Sequence, residues 1–386
     1  MSRGTDVTNM KRKYRTVAAG RFPAGFSIGL TIETDLRYGE NPNQPAAMYI
    51  VGNRLAELTN IRLAKSGKGG LSATNFMDVT RAMDILKFFD VPAVAVMKHL
   101  VPSGFARQYN RNSLVDIYTH ARDTDARSAF GSIVVFNRSV DKETAEVIMS
   151  SYVEGVAAPG YEDGAMSVLE RKKDIRVMTF SHLDKIPKFT GDDTEGLYDI
   201  KSLPTGRVLV QTPYLTSIRL PTDVITDPLV MFEGKAHVVN RDPTHNELED
   251  LLTAWYVNIG VRSNGIVIVK DGVTVAVGSG QQERVGAVEQ AIIKAYQKAM
   301  DRQGIVYDAV DGAAQRSDLS VNPLEGAVVS SDAFFPFRDS IDTVARYGIT
   351  AVIQPGGSVR DYEVIDAVNE HKMAMVYTLE RCFGHF

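Results

Sequence analysis

The sequence predicts an α/β protein. Short apolar runs of strand length alternate with amphipathic stretches of helix length along nearly the whole chain. Hydrophobic residues are 44% and charged residues 23% of the 386, a globular balance that excludes long disorder, collagen-like repeats and coiled coil. One cysteine, Cys382, excludes a disulfide framework and any multi-cysteine zinc site. At roughly 150 residues per domain the length points to two or three domains. The net charge of -4, from 43 basic and 47 acidic residues, directs no strong field at nucleic acid or an anionic membrane. The chain opens MSRGTDVTNMKRKYR, without the apolar stretch of a signal peptide, and no run approaches the ~20 residues that span a bilayer. The expectation is a soluble, cytoplasmic protein.

In chain order, residues 76–89 (FMDVTRAMDILKFF) put Phe76, Val79, Met83 and Leu86 at helical spacing. The strand-like run from Ala93 to Met97 follows and ends on Lys98 and His99. Residues 141–153 read as another helix. Residues 160–245 carry more charge, Pro and Gly, and read as a junction between two halves. Thr244 with Glu247 fits a capping box opening a helix that carries Leu248, Leu251, Leu252 and Trp255. Runs 266–269 and 273–277, joined by Lys270, Asp271 and Gly272, form the clearest hairpin in the chain. A helix runs from about Arg284 to Met300, and the last third reads helix 340–347, strand 350–353, helix 361–371, strand 373–378. A weak echo links 72–104 to 331–357, each a helix, a strand and a glycine turn.

Several segments carry chemistry-bearing residue types. Residues 37–44 (RYGENPNQ) place Arg37, a fork for phosphate, and Tyr38, a stacking face, at a bend fixed by Gly39 and Pro42; a solvated surface turn has the same composition. Lys98 and His99 close what reads as a buried parallel-type strand, at the edge where open α/β sheets bind ligands. There a histidine can take a proton near neutral pH and a lysine can hold developing negative charge; a satisfied core histidine beside a snorkelling lysine fits equally. Gly131 before a strand allows close approach of a ligand, and Glu154 places one carboxylate before a small-residue strand. Residues 278–284 (GSGQQER) feed a helix N-terminus suited to an anion. Neither they nor residues 67–70 (GKGG) match a dinucleotide or P-loop pattern. Phe334, Phe335 and Phe337 around Pro336 suggest a flat apolar wall for a heterocycle, although such aromatics also fill cores. The tail, with Arg381, Phe383 and His385, is expected to dock, since a loose tail would expose its aromatics. The seven histidines show no spacing typical of a metal site, and no Gly-x-Ser-x-Gly elbow is present.

Taken together and in order over residues 37–385, these segments resemble the AICAR transformylase (phosphoribosylaminoimidazolecarboxamide formyltransferase) family, the C-terminal half of a bifunctional purine-biosynthesis protein. The resemblance rests on residues 37–42, on Lys98 and His99 with Pro102 and Gly104, and on Phe130 and Gly131. It continues through 158–161, Ser263 and Asn264, 280–284, 331–339, 355–358 and the terminal Arg381, Phe383 and His385. It implies two cytidine-deaminase-like α/β subdomains without metal, taken as 1–190 and 191–386. It implies transfer of the formyl group of the cosubstrate 10-formyltetrahydrofolate to the 5-amine of AICAR, giving FAICAR in IMP biosynthesis. By the same resemblance His99 is the general base, Lys98 stabilises the transition state, and Asn264 orients the carboxamide. Arg37, Tyr38, Gly131, Glu154, Arg284, Phe334, Arg381, Phe383 and His385 match AICAR-contacting positions. Val285, Asp339, Ser358 and Val359 match folate-facing ones. A homodimer with active sites at its interface is implied, and the resemblance leaves room for a monovalent cation.

The sequence departs from the family pattern at Val101, Asn43 and Arg127, and Phe386 extends past the usual terminal histidine. With no cyclohydrolase segment preceding, that second activity is not expected. The competing reading, a module that binds AICAR or a nucleotide without turnover, has Val101 as its support and the intact Lys98, His99 and Asn264 against it. Formylation from formate and ATP would need a phosphate-binding loop that the sequence lacks.

Overall fold

The computed structural model describes residues 4–8, 22–25, 27–52, 54–305 and 319–386. Its centre is an eleven-stranded mixed sheet. From one side to the other its strands are Ala374–Tyr377, Ala351–Gln354, Val328–Ser331, Ile266–Lys270, Val273–Gly278, Val101–Arg107, Ala93–Lys98, Ile133–Phe136, Gly155–Ala158, Arg176–Thr179 and Arg62–Lys65. These are the apolar runs of the sequence, and most are buried on both faces because helices cover both.

The sheet contains one arrangement twice. In each half a helix leads into an antiparallel hairpin, and three further strands follow, the last two each parallel to the one before. Numbered within its half, each runs in space as 2-1-3-4-5, from residues 73–179 and again from 245–377. The halves meet through their second strands, antiparallel, with Val273 opposite Ala106. That antiparallel junction turns the second half end for end relative to the first. The echo expected between 72–104 and 331–357 is therefore not the true repeat: hairpin 93–107 corresponds to hairpin 266–278. A helix, strand and glycine turn recur throughout such a fold, so two units can look alike without being equivalent.

Strand alternation divides the core into layers. Ala95 and Met97, with Val267 and Val269, face helices Ala73–Leu86 and His245–Ile259 in one cluster shared by both halves. Val94 and Val96 face the helices of the first half on the opposite side; Ile266 and Ile268 face those of the second. The expected capping box at Thr244 and Glu247 is present, and Ser72 with Asn75 forms another at the head of helix Ala73–Leu86. The helix read over 141–153 is Lys142–Met149 with Asp141 as its cap. Residues 160–245 hold more structure than a junction, including the antiparallel ribbon Asp199–Leu203 with Arg207–Gln211. No helix among the described residues is long and apolar enough to cross a membrane.

Candidate active site

Register, more than any single contact, gathers the predicted residues. Met97 lies opposite Ile133, and Gly155 is level with both Ile133 and Arg176, so the turn after Lys98 shares an edge of the sheet with Gly131 and Glu154. Because the halves are joined antiparallel, the strand ends of the second half reach this same edge. Ile266 lies opposite both Gly278 and Ser331, and Gln354 and Tyr377 pair beside them. Asn264, Phe334, Ser358 and the tail from Arg381 thus follow or precede strands ending at the edge that carries Lys98.

The segment at Lys98 and His99 differs from the parallel-type strand expected. Strand Ala93–Lys98 is antiparallel to both neighbours, and residues 98–101 make a tight hairpin turn. His99 and Leu100 hold φ of 53° and 67°, a left-handed pair that non-glycine residues rarely adopt. Lys98 Nζ donates to the carbonyls of Phe130 at 3.1 Å and Gly131 at 2.8 Å, while the His99 side chain is exposed. Gly131, at φ 71°, sits so close that an added Cβ would lie 3.1 Å from Lys98 Nζ. The Glu154 carboxylate comes next along the edge and accepts from Asn75 Nδ2 at 2.9 Å.

Asn75 links this group to the loop at Arg37. Ala73 N–H donates to the Tyr38 carbonyl and Arg37 N–H to the Leu71 carbonyl. The Arg37 guanidinium lies over the Tyr38 ring at 5.2 Å and packs against Gly69, where a Cβ would stand 3.2 Å from its Nε. Buried Arg176 holds that glycine loop, donating to the Gly70 and Lys68 carbonyls at 2.6 and 3.0 Å.

A second group forms on the other half. Asn264 Nδ2 donates to the Gln281 carbonyl at 2.8 Å, beside a cis Ser263–Asn264 peptide. Arg284 is buried and paired with fully buried Asp332, whose other oxygen accepts from Gly265 N–H at 2.9 Å. Val285 is half-buried one residue into the helix. The tail docks, as expected: Cys382 N–H donates to the Asp332 carbonyl and Ser263 N–H to the Gly384 carbonyl. Arg381 lies over the Phe383 ring, which meets His385 edge-on. The flat aromatic wall is not formed. Phe335 is fully buried, Phe334 is half-buried, and Phe337 is exposed beneath the Arg360 guanidinium, because the chain turns there and sends successive rings to different layers. Asp339 is exposed at the head of a helix, Ser358 is buried and bonded through its N–H to Asp361, and Val359 is 81% exposed.

Sequence reading missed Asn75, Asp78 and Asp332. The readable signal for the first two was polar residues at three-residue spacing on the face of helix Ala73–Leu86 that also carries Val79, Ala82 and Met83. Asp78 accepts from Leu100 N–H at 2.7 Å. Burial pushes its carboxyl up to about 6, against the opposing pull of that N–H and of Lys98, while the Glu154 charge adds to the rise. Next to His99 lies a cavity of about 270 Å³ whose walls include Val101, Pro102, Val275 and Val277, with Lys294 and Lys298 at its margin. Burial lowers the Lys294 ammonium, and Lys298 pairs with Asp125 at 2.8 Å. Among the described residues no group of three or more His, Cys, Asp or Glu is placed to hold a metal ion.

Known proteins share this sequence pattern. A profile of the AICARFT/IMPCHase bienzyme matches residues 6–294. The bifunctional purine biosynthesis protein PurH of Caldicellulosiruptor saccharolyticus is 38% identical over 365 residues, 94% of this chain and 61% of that protein. That of Persephonella marina is 39% identical over 370 residues, 95% of this chain and 62% of its own length. The PurH of Magnetococcus marinus is 38% identical, with 95% and 62% covered. The chain thus spans about three fifths of the length of the curated relatives it matches. With this profile covering most of its length, the chain belongs to the AICARFT/IMPCHase bienzyme family.

Proposed function

We propose that the chain is a purine-biosynthesis enzyme that transfers the formyl group of 10-formyltetrahydrofolate to the 5-amine of AICAR, giving FAICAR. The observation carrying this reading is the convergence at one sheet edge of an exposed histidine, a lysine ammonium and a carboxylate on one half with Asn264 and the tail on the other. An aromatic amine is a weak nucleophile, so the reaction gains most from orientation, a base and a cation near the developing oxyanion. His99 takes the amine proton as nitrogen attacks the formyl carbon. Lys98 spends two of its three N–H groups on the Phe130 and Gly131 carbonyls, which aim the third at the formyl oxygen and then at the departing folate nitrogen. Asn264, its amide nitrogen fixed by Gln281, offers Oδ1 to the carboxamide. Arg37 supplies the phosphate fork and the cavity beside His99 the apolar wall for the carrier.

The test is purified protein with AICAR and 10-formyltetrahydrofolate, following tetrahydrofolate release. Turnover is expected, and His99→Ala should reduce kcat by about 10²–10⁴-fold, the range for losing a positioned base. AICAR binding without turnover in the unaltered protein would select a binding module instead. Full activity in His99→Ala would remove the base assignment.

The reading extends to a homodimer. The ribbon Leu30–Leu36 with Ala46–Val51 leaves Leu30, Ile32 and Tyr49 exposed, and the ribbon at 199–211 exposes Val208 and Leu209. Apolar ribbons of this kind are what a second copy would cover. Sedimentation equilibrium should give twice the chain mass of 42.4 kDa, and a charge at Ile32 should shift it toward the monomer.

A further inference from the structure

We propose that Asp78 is a positioning residue: its carboxylate holds the left-handed turn at His99 and Leu100, and through that turn sets where the His99 and Lys98 side chains stand along the catalytic edge. This rests on the formyl-transfer reading for its consequence, though not for its geometry.

Tight two-residue hairpins take Asn-Gly or Asp-Gly because both central residues need positive φ. Here those positions hold His99 and Leu100, at 53° and 67°, where a Cβ crowds the following carbonyl. Something outside the turn must therefore hold it. Asp78 supplies that hold from helix Ala73–Leu86, twenty-two residues away in sequence, by accepting from Leu100 N–H at 2.7 Å. The residue is only 4% exposed, so its carboxylate is aimed by packing rather than free to wander. Charged groups face it from two other elements, Lys98 on the hairpin and Glu154 before the strand Gly155–Ala158.

The second half of the sheet provides an internal control. At the same helical position, six residues after the capping residue Thr244, stands Asp250; Asp78 is six after Ser72. Asp250 accepts from Asp271 and Gly272 N–H at 2.7 and 2.8 Å, in the hairpin turn equivalent to that of His99 and Leu100. Lys270, equivalent to Lys98, donates to the Glu325 carbonyl as Lys98 donates to that of Phe130. The device is thus repeated, but the second copy has an Asp-Gly turn that the chain favours unaided. In the first copy the residues that make the turn useful are those that make it costly. Asp78 compensates.

The test compares Asp78→Ala, Asp78→Asn, Leu100→Gly and the double variant Asp78→Ala/Leu100→Gly in the full chain. Glycine at 100 accepts positive φ without strain and so removes the need for the hold. Expected are a 10–100-fold fall in kcat for Asp78→Ala with KM for AICAR within about threefold, and recovery of at least tenfold in the double variant. Asp78→Asn, which keeps an acceptor oxygen, should stay within about fivefold of the unaltered protein, as should Leu100→Gly. Exchange of the Leu100 amide, read by NMR without any substrate, should speed up in Asp78→Ala and remain slow in Asp78→Asn. Unchanged kcat or unchanged Leu100 exchange in Asp78→Ala would overturn the proposal. So would a double variant that folds yet gains nothing, which would mark Asp78 as a packing residue. If Asp78→Ala does not fold alone, the double variant decides: it must fold and be active. Absence of turnover in the unaltered protein would overturn the reaction, while the amide exchange would still decide the turn.

Discussion

Burial pushes the Asp78 carboxyl from its ordinary 3.8 up to about 6, the loss of hydration outweighing the Leu100 N–H and the Lys98 charge. The native state therefore keeps a proton that the unfolded chain releases between about pH 4 and 6. Stability linked to this site is complete below pH 4 and is lost as pH rises through 6, to the extent of about 2–3 kcal/mol. Asp78→Asn retains an acceptor without the buried charge. It should be more stable than the unaltered protein by about 2 kcal/mol at pH 7 and nearly equal to it at pH 4, in urea unfolding at both values. An equal gap at the two pH values would mean that this carboxyl does not titrate there. Residues of this kind were the hardest to read beforehand. Lys98, His99 and Asn264 sit at strand or loop ends where periodicity breaks, which makes them visible. Asn75 and Asp78 keep perfect helical phase with Val79 and Ala82, so only their polarity on a buried face gives them away.

At the scale of elements, local signals were sufficient wherever the chain satisfies itself locally. Helix His245–Ile259 begins with Thr244 accepting from Glu247 N–H while the Glu247 carboxylate accepts from Thr244 N–H at 2.8 Å, both readable from a four-residue pattern. Thr244→Ala should cost about 1 kcal/mol, measurable as a fall in the urea midpoint with unchanged slope. The hairpin at 270–273 was equally plain, since Asp271 and Gly272 are turn formers. The hairpin at 98–101 was not, because its turn is held by a helix distant in sequence and its own residues argue against it. The ribbon at 199–211 escaped for a related reason: with both faces largely exposed it lacks the buried face that marks a half-buried strand.

For the whole molecule the decisive place is the seam between the halves. Few backbone pairs cross it; Arg107 N–H donates to the Gly272 carbonyl, and Val273 stands opposite Ala106. Buried Thr274 completes it with its side chain, accepting from Phe105 N–H at 2.8 Å and donating to the Phe105 carbonyl at 3.1 Å. Thr124 closes the arrangement by donating to the Thr274 carbonyl at 2.7 Å. Thr274→Val keeps the shape but strands both polar groups of Phe105 away from water. A loss of about 2–4 kcal/mol is expected in denaturant unfolding, larger than for the same change at an exposed threonine. The echo read in the sequence pairs units that are not equivalent, so it did not reveal the repeat. The true correspondence was not legible, because equivalence is fixed by which strands pair.

The end-for-end union at Val273 and Ala106 also has a consequence for assembly. Cut in the stretch between the repeats, the chain would yield two fragments, each ending its sheet in a strand that seeks an antiparallel mate. Neither fragment would hold the complete candidate site, since one would bring the lysine and histidine and the other the asparagine and the tail. If the proposed formyl transfer holds, that activity in a mixture of the two would report their reunion, making the protein a split reporter of its own seam.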